Sequence, residues 1–334
     1  MSIKVNNPGL LTSIQDLGRY GFQKYGVVVS GAMDVNSLRI ANLLVGNQEG
    51  EAALEITLMG ASFLVEEDLL ISVTGGDLSP AIGQESLPLW RPVYVRKGSV
   101  LRFPACRSGC RAYMSVAGGF AIEDVMKSKS TYLRGKIGGY RGRALKTADT
   151  LSCNKMPKRA IRLLQQLKKR AGSYSFATVN WYVSSESFVN ISKSPEIRVL
   201  RGGEFDRFTS SSQRQFFEQD FRISPKSDRM GYRIEGPSLQ TEGSFDLISE
   251  AVSNGTIQVP KDGNPIILLA DRQTTGGYPK IAQVATVDLP LLAQVKPGER
   301  IRFKEITRNE AEQLYLEQER QMKQLSAGLL LKET

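Results

Sequence analysis

Between Leu54 and Gly119 the chain is a succession of short apolar runs: "LEITLMG", "SFLVEE", "LLISVTGG", "PVYVRKGS", "VLRFPA" and "RAYMSVAGG". Each is about five to eight residues long, rich in β-branched or aromatic residues, and closed by glycine, proline or an acid, which predicts strands. They follow one another without intervening helical periods, so the pattern predicts an antiparallel sandwich or barrel rather than alternating β-α units. Helices are few. "DVNSLRIANLLVG" (34–46) has a capping Asp34, a face made by Leu38, Ala41 and Val45, and a closing Gly46. "PKRAIRLLQQLKKRAG" (157–172) reads as a basic helix or helical linker starting at Pro157. "TRNEAEQLYLEQERQMKQL" (307–325) predicts a mostly polar C-terminal helix with Ala311, Leu314, Tyr315 and Met322 against the body.

Strand patterning stops near Lys155, basic and then serine-rich residues follow, and a second strand-rich half begins at Ile197. The expected organisation is therefore a β domain over 1–155, a basic, serine-rich linker over 156–195, a second β domain over 196–306, and a C-terminal helix and tail over 307–334. Two domains also suit a chain of 334 residues at roughly 150 residues per domain.

Composition removes several chemistries. There is no histidine, which excludes Ser-His-Asp and Cys-His nucleophile systems within the chain and any His-Glu-x-x-His zinc site. Proton transfer must use Asp, Glu, Lys, Tyr or bound water. The three cysteines, Cys106, Cys110 and Cys153, make neither a disulfide framework nor a structural zinc site. No apolar run approaches the ~18 residues of a membrane span, and "MSIKVNNPG" lacks the apolar stretch of a signal peptide, so the expected location is the cytoplasm.

The net charge of +10 is concentrated: from Lys127 to Arg170 there are fourteen Lys and Arg against Asp149 alone, a local +13. No zinc-finger, helix-turn-helix or aromatic stacking signature accompanies this run, and a solvated basic face or a protein contact is expected rather than nucleic-acid binding.

Candidate chemistry lies on glycine-rich loops at strand ends, where a rigid β scaffold presents functional groups. "ADRQTTGGYP" (270–279) ends the apolar run "NPIILLA" with an acid, a guanidinium, an amide, two hydroxyls, two glycines and a tyrosine. A self-satisfied tight turn is the alternative reading of that loop. "GKIGGYRGR" (135–143) lacks the strand and distal acid of a dinucleotide fingerprint, but its backbone N–H groups and forked guanidinium donors suit a carboxylate or phosphate, unless it is merely a solvated loop. "SGAMD" (30–34) precedes a helix start that favours anions, or Asp34 simply caps the helix. "TGGD" (74–77) exposes Asp77, and "SDRMGYRIEG" (227–236) sets charges beside glycine. "SEAVSNGTIQVP" (249–260) carries Glu250 and Gln258.

Together "PGLLTSIQDLGRYG", "SGAMD…N", "LEIT", "GGYRGR", "SDRMGYR", "SEAVSNGTIQVP" and "ADRQTTGGYP", in this order from about Pro8 to Phe303, resemble the biotin-dependent carboxyltransferase-like family. That family includes proteins labelled as the second subunit of allophanate hydrolase, KipI antagonists (KipA) and C-type subunits of bacterial 5-oxoprolinase. The resemblance implies a mainly β fold of two cyclophilin-like β-barrel domains with few helices. It implies a KipI-like B-type subunit and an A-type subunit as partners, and ATP-dependent opening of 5-oxo-L-proline to L-glutamate. ATP and Mg2+ would be shared with those partners, and this chain would be inactive by itself. Two other activities stay open: a non-catalytic antagonist that binds KipI and relieves inhibition of a sporulation kinase, and carboxyl transfer from carboxybiotin. No biotinyl-lysine segment such as "AMKM" occurs, so biotin would arrive on another protein.

The chemistry of opening a lactam assigns candidate roles. Phosphorylating the carbonyl oxygen would make it a leaving group for attack by water, which requires a carboxylate anchor, donors to the developing oxyanion and an acid to orient water. Arg141 and Arg143 are the expected anchors. Gln273 and the backbone of Thr274, Thr275, Gly276 and Gly277 are the expected oxyanion donors, with Tyr278 and Asp34 as further binding residues. Asp271, Asp228 and Asp77 are the candidate acids or bases.

Overall fold

The computed structural model describes residues 1–243 and 247–332; the last two residues of the expected C-terminal tail lie outside them. The fold is mainly β, with five α-helices among the described residues. The chain divides into two units. Met1–Arg19, Asp34–Asn190 and Met322–Thr334 form the first; Tyr20–Met33 and Ile191–Gln321 form the second.

In the first unit the alternating runs become two six-stranded sheets. One is ordered Thr150–Ser152, Ser2–Pro8, Ala61–Val65, Val100–Phe103, Ala81–Ile82, Glu85–Ser86; the other Phe176–Thr178, Val93–Val95, Leu69–Asp77, Ser108–Val116, Ala53–Thr57, Leu11–Gln15. Val5, Phe63, Leu101 and Phe103 from the first sheet share a core with Ile14, Leu54, Val73 and Met114 from the other. Each such side chain taken out of water contributes about 1.5–3 kcal/mol before conformational entropy is counted.

Helix α1 (Val35–Leu44) starts where the pattern predicts, with the Asp34 carboxylate accepting from the Ser37 N–H at 2.9 Å. It is pinned to the strand Leu69–Asp77 by two buried hydroxyls: Ser72 Oγ donates to the Ala41 carbonyl (2.6 Å) and Thr74 Oγ1 to that of Ser37 (2.7 Å). Tyr113 completes the anchor. Its hydroxyl donates to Glu55 (2.7 Å) and accepts from the Asp34 N–H (2.8 Å). Burial, then the neighbouring Glu55, hold that hydroxyl well above the usual tyrosine range.

Residues 156–195, expected as a linker, instead belong to the first unit as far as Asn190. Helix α2 (Lys158–Ala171) buries Ala160, Leu167 and Ala171 with Val45, Leu70 and Tyr94, and the strand Phe176–Thr178 pairs Phe176 with Val95. The surrounding basic residues masked this element, although Ile161, Leu163 and Leu164 also pack against the same cluster.

The second unit is a closed barrel in the order Glu196–Arg201, Lys280–Val284, Thr256–Gln258, Ile266–Leu268, Gly231–Glu235, Phe221–Ile223, Arg300–Glu305. A parallel pairing of Arg300–Glu305 with Glu196–Arg201 closes it, removing free edges. Helix α3 (Ser210–Glu218), capped by Thr209, sends Phe216 into the core, stacked on Phe303 at 4.5 Å. The short helix α4 (Leu289–Ala293) adds Leu292 and Ala293. Helix α5 (Arg308–Leu331) buries Met322 and Leu329 with Ile40, Leu44, Trp90 and Val183 of the first unit, whereas Tyr315, expected to pack, is 44 % exposed. Among the described residues no helix is long and apolar enough to cross a membrane. Burial pushes the Cys153 thiol up to about 11.

Candidate functional site

The strand Ile266–Leu268 delivers the chain into "ADRQTTGGYP", and the backbone immediately binds another loop. The Leu269 N–H donates to the Met230 carbonyl (3.0 Å) and the Asp271 N–H to that of Arg229 (2.9 Å). Asp271 and Arg229 are 3 % and 4 % exposed. The guanidinium donates from Nε to Asp271 Oδ2 at 3.0 Å and from Nη2 to Oδ1 at 3.1 Å.

A third segment closes the cluster. Ser30 Oγ donates to Asp271 Oδ1 (2.7 Å), the Ser30 N–H to the Ala270 carbonyl (3.1 Å), and Arg229 Nη2 to the Gly31 carbonyl (2.6 Å). Ser30 sits at φ 60°, a left-handed conformation costly for a residue with a Cβ and tolerated here because these bonds fix it. Three strings far apart in sequence, "SGAM", "SDRMGYR" and "LLADRQ", are thus one interlocked structure within the second unit. Asp271 is the hub, with both carboxylate oxygens engaged.

Beyond it, Thr275–Gly276 pairs with Glu250–Ala251 as a two-stranded ribbon, and the Val252 N–H donates to the Thr274 carbonyl (3.1 Å). Lys280 Nζ clips the ribbon to Glu250 at 2.5 Å. Gly276 packs closely: a Cβ there would stand 2.6 Å from Gln258 Nε2, which donates to the Tyr278 carbonyl (3.2 Å), so a side chain would have to displace that amide. Gln273 and Thr275 are exposed and Tyr278 is 49 % exposed. Gly277 and Tyr278 also border a cavity of about 340 Å³ lined further by Leu239, Thr241, Val259 and Lys261.

Arg272 is placed quite differently from the neighbouring Asp271. It is partly buried, and its hydrogen bonds among the described residues are long ones to carbonyls, Nε to Val252 (3.4 Å) and Nη1 to Leu269 (3.3 Å). Burial lowers its basicity, with the Tyr20 phenol as the opposing electrostatic neighbour. Asp228, the other candidate acid of this unit, holds its own turn by accepting from the Met230 N–H (2.8 Å) and the Gly231 N–H (3.3 Å).

The remaining candidates lie in the first unit. Arg143 is bound bidentately by Asp149, at 2.6 and 2.8 Å, and the hydrogen bond from Arg143 holds the Asp149 carboxyl below the usual range. Arg141 is exposed, its guanidinium 5.3 Å from the Tyr140 ring centre, beside a cavity of about 400 Å³ lined also by Glu123, Gly139 and Thr150. The glycines of this loop serve close packing: a Cβ on Gly139 would overlap Thr131 Oγ1. Asp77 accepts from the Ser79 N–H (2.7 Å), and Asp34 is the fully buried cap of α1. Arg229, Ser30 and Arg272 are not among the residues the sequence pattern selects. Nothing in the local pattern around Arg229 or Ser30 announces their partner, whereas Arg272 is visible as the base beside Asp271.

The chain matches the family model described as carboxyltransferase domain, subdomain A and B, over residues 25–305. It is 35 % identical over 324 residues to the 5-oxoprolinase C subunit of Escherichia coli, covering 97 % of each chain, and 35 % identical over 305 residues to the Haemophilus influenzae protein of the same name, covering 90 % of each. It is also similar to a much longer protein, urea amidolyase of Saccharomyces cerevisiae, at 32 % identity over 90 % of this chain and 16 % of that one. Among solved structures, the Kluyveromyces lactis urea carboxylase superimposes with a TM-score of 0.84 at 31 % identity, over 96 % of this chain and 29 % of that one.

Proposed function

Because the chain belongs to the carboxyltransferase domain A and B family, with relatives of its own length that are enzyme subunits, we propose that it is the C-type subunit of a 5-oxoprolinase. In this reading it acts with A- and B-type partner subunits to open 5-oxo-L-proline to L-glutamate at the expense of ATP. The observation that carries the reading is the near end-to-end match, at 35 % identity, to stand-alone C-type subunits. The urea amidolyases carry a similar region inside a far longer polypeptide.

The loop Ala270–Pro279 offers part of what this chemistry needs from the protein. Gln273 and Thr275 stand exposed at its tip as donors to a developing oxyanion. Asp271, committed to Arg229 and Ser30, holds the loop in place; using it as a base would first require releasing Arg229. Among the described residues no group of three or more Cys, Asp and Glu could by itself hold a metal ion. No step is therefore routed through Mg2+ on this chain, and in this reading ATP is bound together with the partner subunits.

The test is release of glutamate from 5-oxoproline and ATP by this chain, its A- and B-type partners, and each combination. Activity confined to the complete mixture is the expected result. Substantial 5-oxoproline-dependent ADP release by the isolated chain would contradict the assignment. Another reading, carboxyl transfer from carboxybiotin carried on another protein, is favoured by the likeness to urea carboxylase; it predicts carboxybiotin consumption by the chain and no glutamate from any mixture.

A further inference from the structure

Among the described residues of the second unit, three arginines are partly or fully buried, and two of them are paired with carboxylates. Arg229 has Asp271 and Arg198 has Asp288, in each case through two guanidinium nitrogens. Arg272 is partly buried yet makes no ion pair among the described residues. Its two hydrogen bonds, at 3.4 and 3.3 Å, leave three of the five guanidinium N–H donors without a protein acceptor among those residues. A guanidinium drawn out of water without an anion is costly, and its neighbour Asp271 is already consumed by Arg229.

Its position is equally specific. The side chain is held between the carbonyls of Leu269 and Val252, so it lies where the Thr275–Gly276 ribbon joins the barrel loop. The exposed Gln273 follows it directly, and the exposed phenol of Tyr20 faces it electrostatically. A partly desolvated fork with spare donors and the Tyr20 phenol as its electrostatic neighbour suits a planar anion, and carboxylate matches that fork bidentately.

We propose that Arg272 is the anchor for the carboxylate of a small-molecule ligand, taken up beside Gln273 and Tyr20. The identity of that ligand as 5-oxo-L-proline rests on the function proposed above; the anchor itself does not. The carboxylate fork then belongs to the second unit, and Arg143 of the first, expected in that role, is already occupied by Asp149.

The experiment is thermal unfolding of the full chain with 5-oxo-L-proline, with 2-pyrrolidinone (the same lactam without its carboxylate) and with malonate, for the wild type, Arg272→Met and Arg272→Lys. The expected result is a rise in Tm with 5-oxo-L-proline and none with 2-pyrrolidinone. Arg272→Met, free of the uncompensated charge, should unfold no lower than the wild type and bind the carboxylate about 10- to 100-fold more weakly. Arg272→Lys, a point charge without the fork, should fall between them. A response to malonate but not to 5-oxo-L-proline, lost in Arg272→Met, keeps the anchor and overturns the substrate. An undiminished response in Arg272→Met, no response of the wild type to either carboxylate, or a Tm several degrees lower for Arg272→Met without ligand would each overturn the anchor.

Discussion

As sequence, "GGYRGR" of the first unit and "ADRQTTGG" of the other are alike: glycine pairs, hydroxyl or aromatic neighbours, and arginine. Folded, they have opposite electrostatics. In the first loop Arg143 is neutralised by Asp149 six residues on, and Arg141 lies in water over Tyr140. In the barrel loop, the acid that could have neutralised Arg272 is taken by Arg229, 42 residues before that acid. The loop therefore keeps a cation that water only partly screens. Whether an arginine can receive a ligand depends on which acid reaches it first, and a partner distant in the chain can decide that.

The largest effect should come from Asp271→Asn, which leaves Arg229 buried beside a neutral amide. Breaking such a pair costs about 3–5 kcal/mol, read as a lower urea midpoint with an unchanged slope. The double variant Arg229→Met/Asp271→Leu should recover most of that loss, since two apolar side chains leave no buried charge. If the single variant costs under about 1 kcal/mol, the hub assigned to Asp271 is wrong. It also follows that lost activity in Asp271→Asn would not by itself identify a catalytic acid. Next in size is Ser30→Ala, which removes a hydroxyl bonded to that carboxylate at 2.7 Å and should cost about 1.5–3 kcal/mol in the same measurement.

These effects rest on contacts that the chain's pattern conveys unevenly. The short apolar runs from Leu54 to Gly119 and the cap at Asp34 are local signals, and the strands and α1 stand where those signals put them. The mainly β fold was implied by the family resemblance of the motif strings; of its two expected barrels, the second unit is a closed barrel and the first is built from two six-stranded sheets. The attachment of α2 to the first unit was hidden because its apolar stripe, Ile161, Leu163, Leu164 and Leu167, is embedded in a run of basic residues that reads as a linker. The assignment of Tyr20–Met33 to the second unit was hidden for another reason: Ser30 and Gly31 act through hydrogen bonds to residues about two hundred positions away, which no periodicity encodes. The loop at 270–279 was legible as a candidate site by its density of polar groups. The division of labour within it, Asp271 holding and Arg272 open, was not.

The smallest effect should come from the first loop. Asp149 accepts from both Nη atoms of Arg143 and from the Lys146 N–H (2.7 Å), and the Arg143 hydrogen bond is the main cause of its lowered pKa. A carboxyl whose folded pKa lies below its unfolded value near 3.9 contributes stability in full above that value. The contribution is lost as pH falls through the folded pKa. Asp149→Asn should therefore cost about 1 kcal/mol at pH 7, the scale of a pair near the surface, and progressively less below about pH 4. Urea unfolding of both proteins at steps from pH 7 to pH 3 reads this directly as converging midpoints. A gap that stays constant through pH 3 would mean that Asp149 stabilises the loop through its turn hydrogen bond from Lys146, which asparagine would weaken at any pH, and not through charge. In that case Arg143 would be less fully neutralised than the geometry indicates, and the contrast between the two loops would narrow to the single difference in burial.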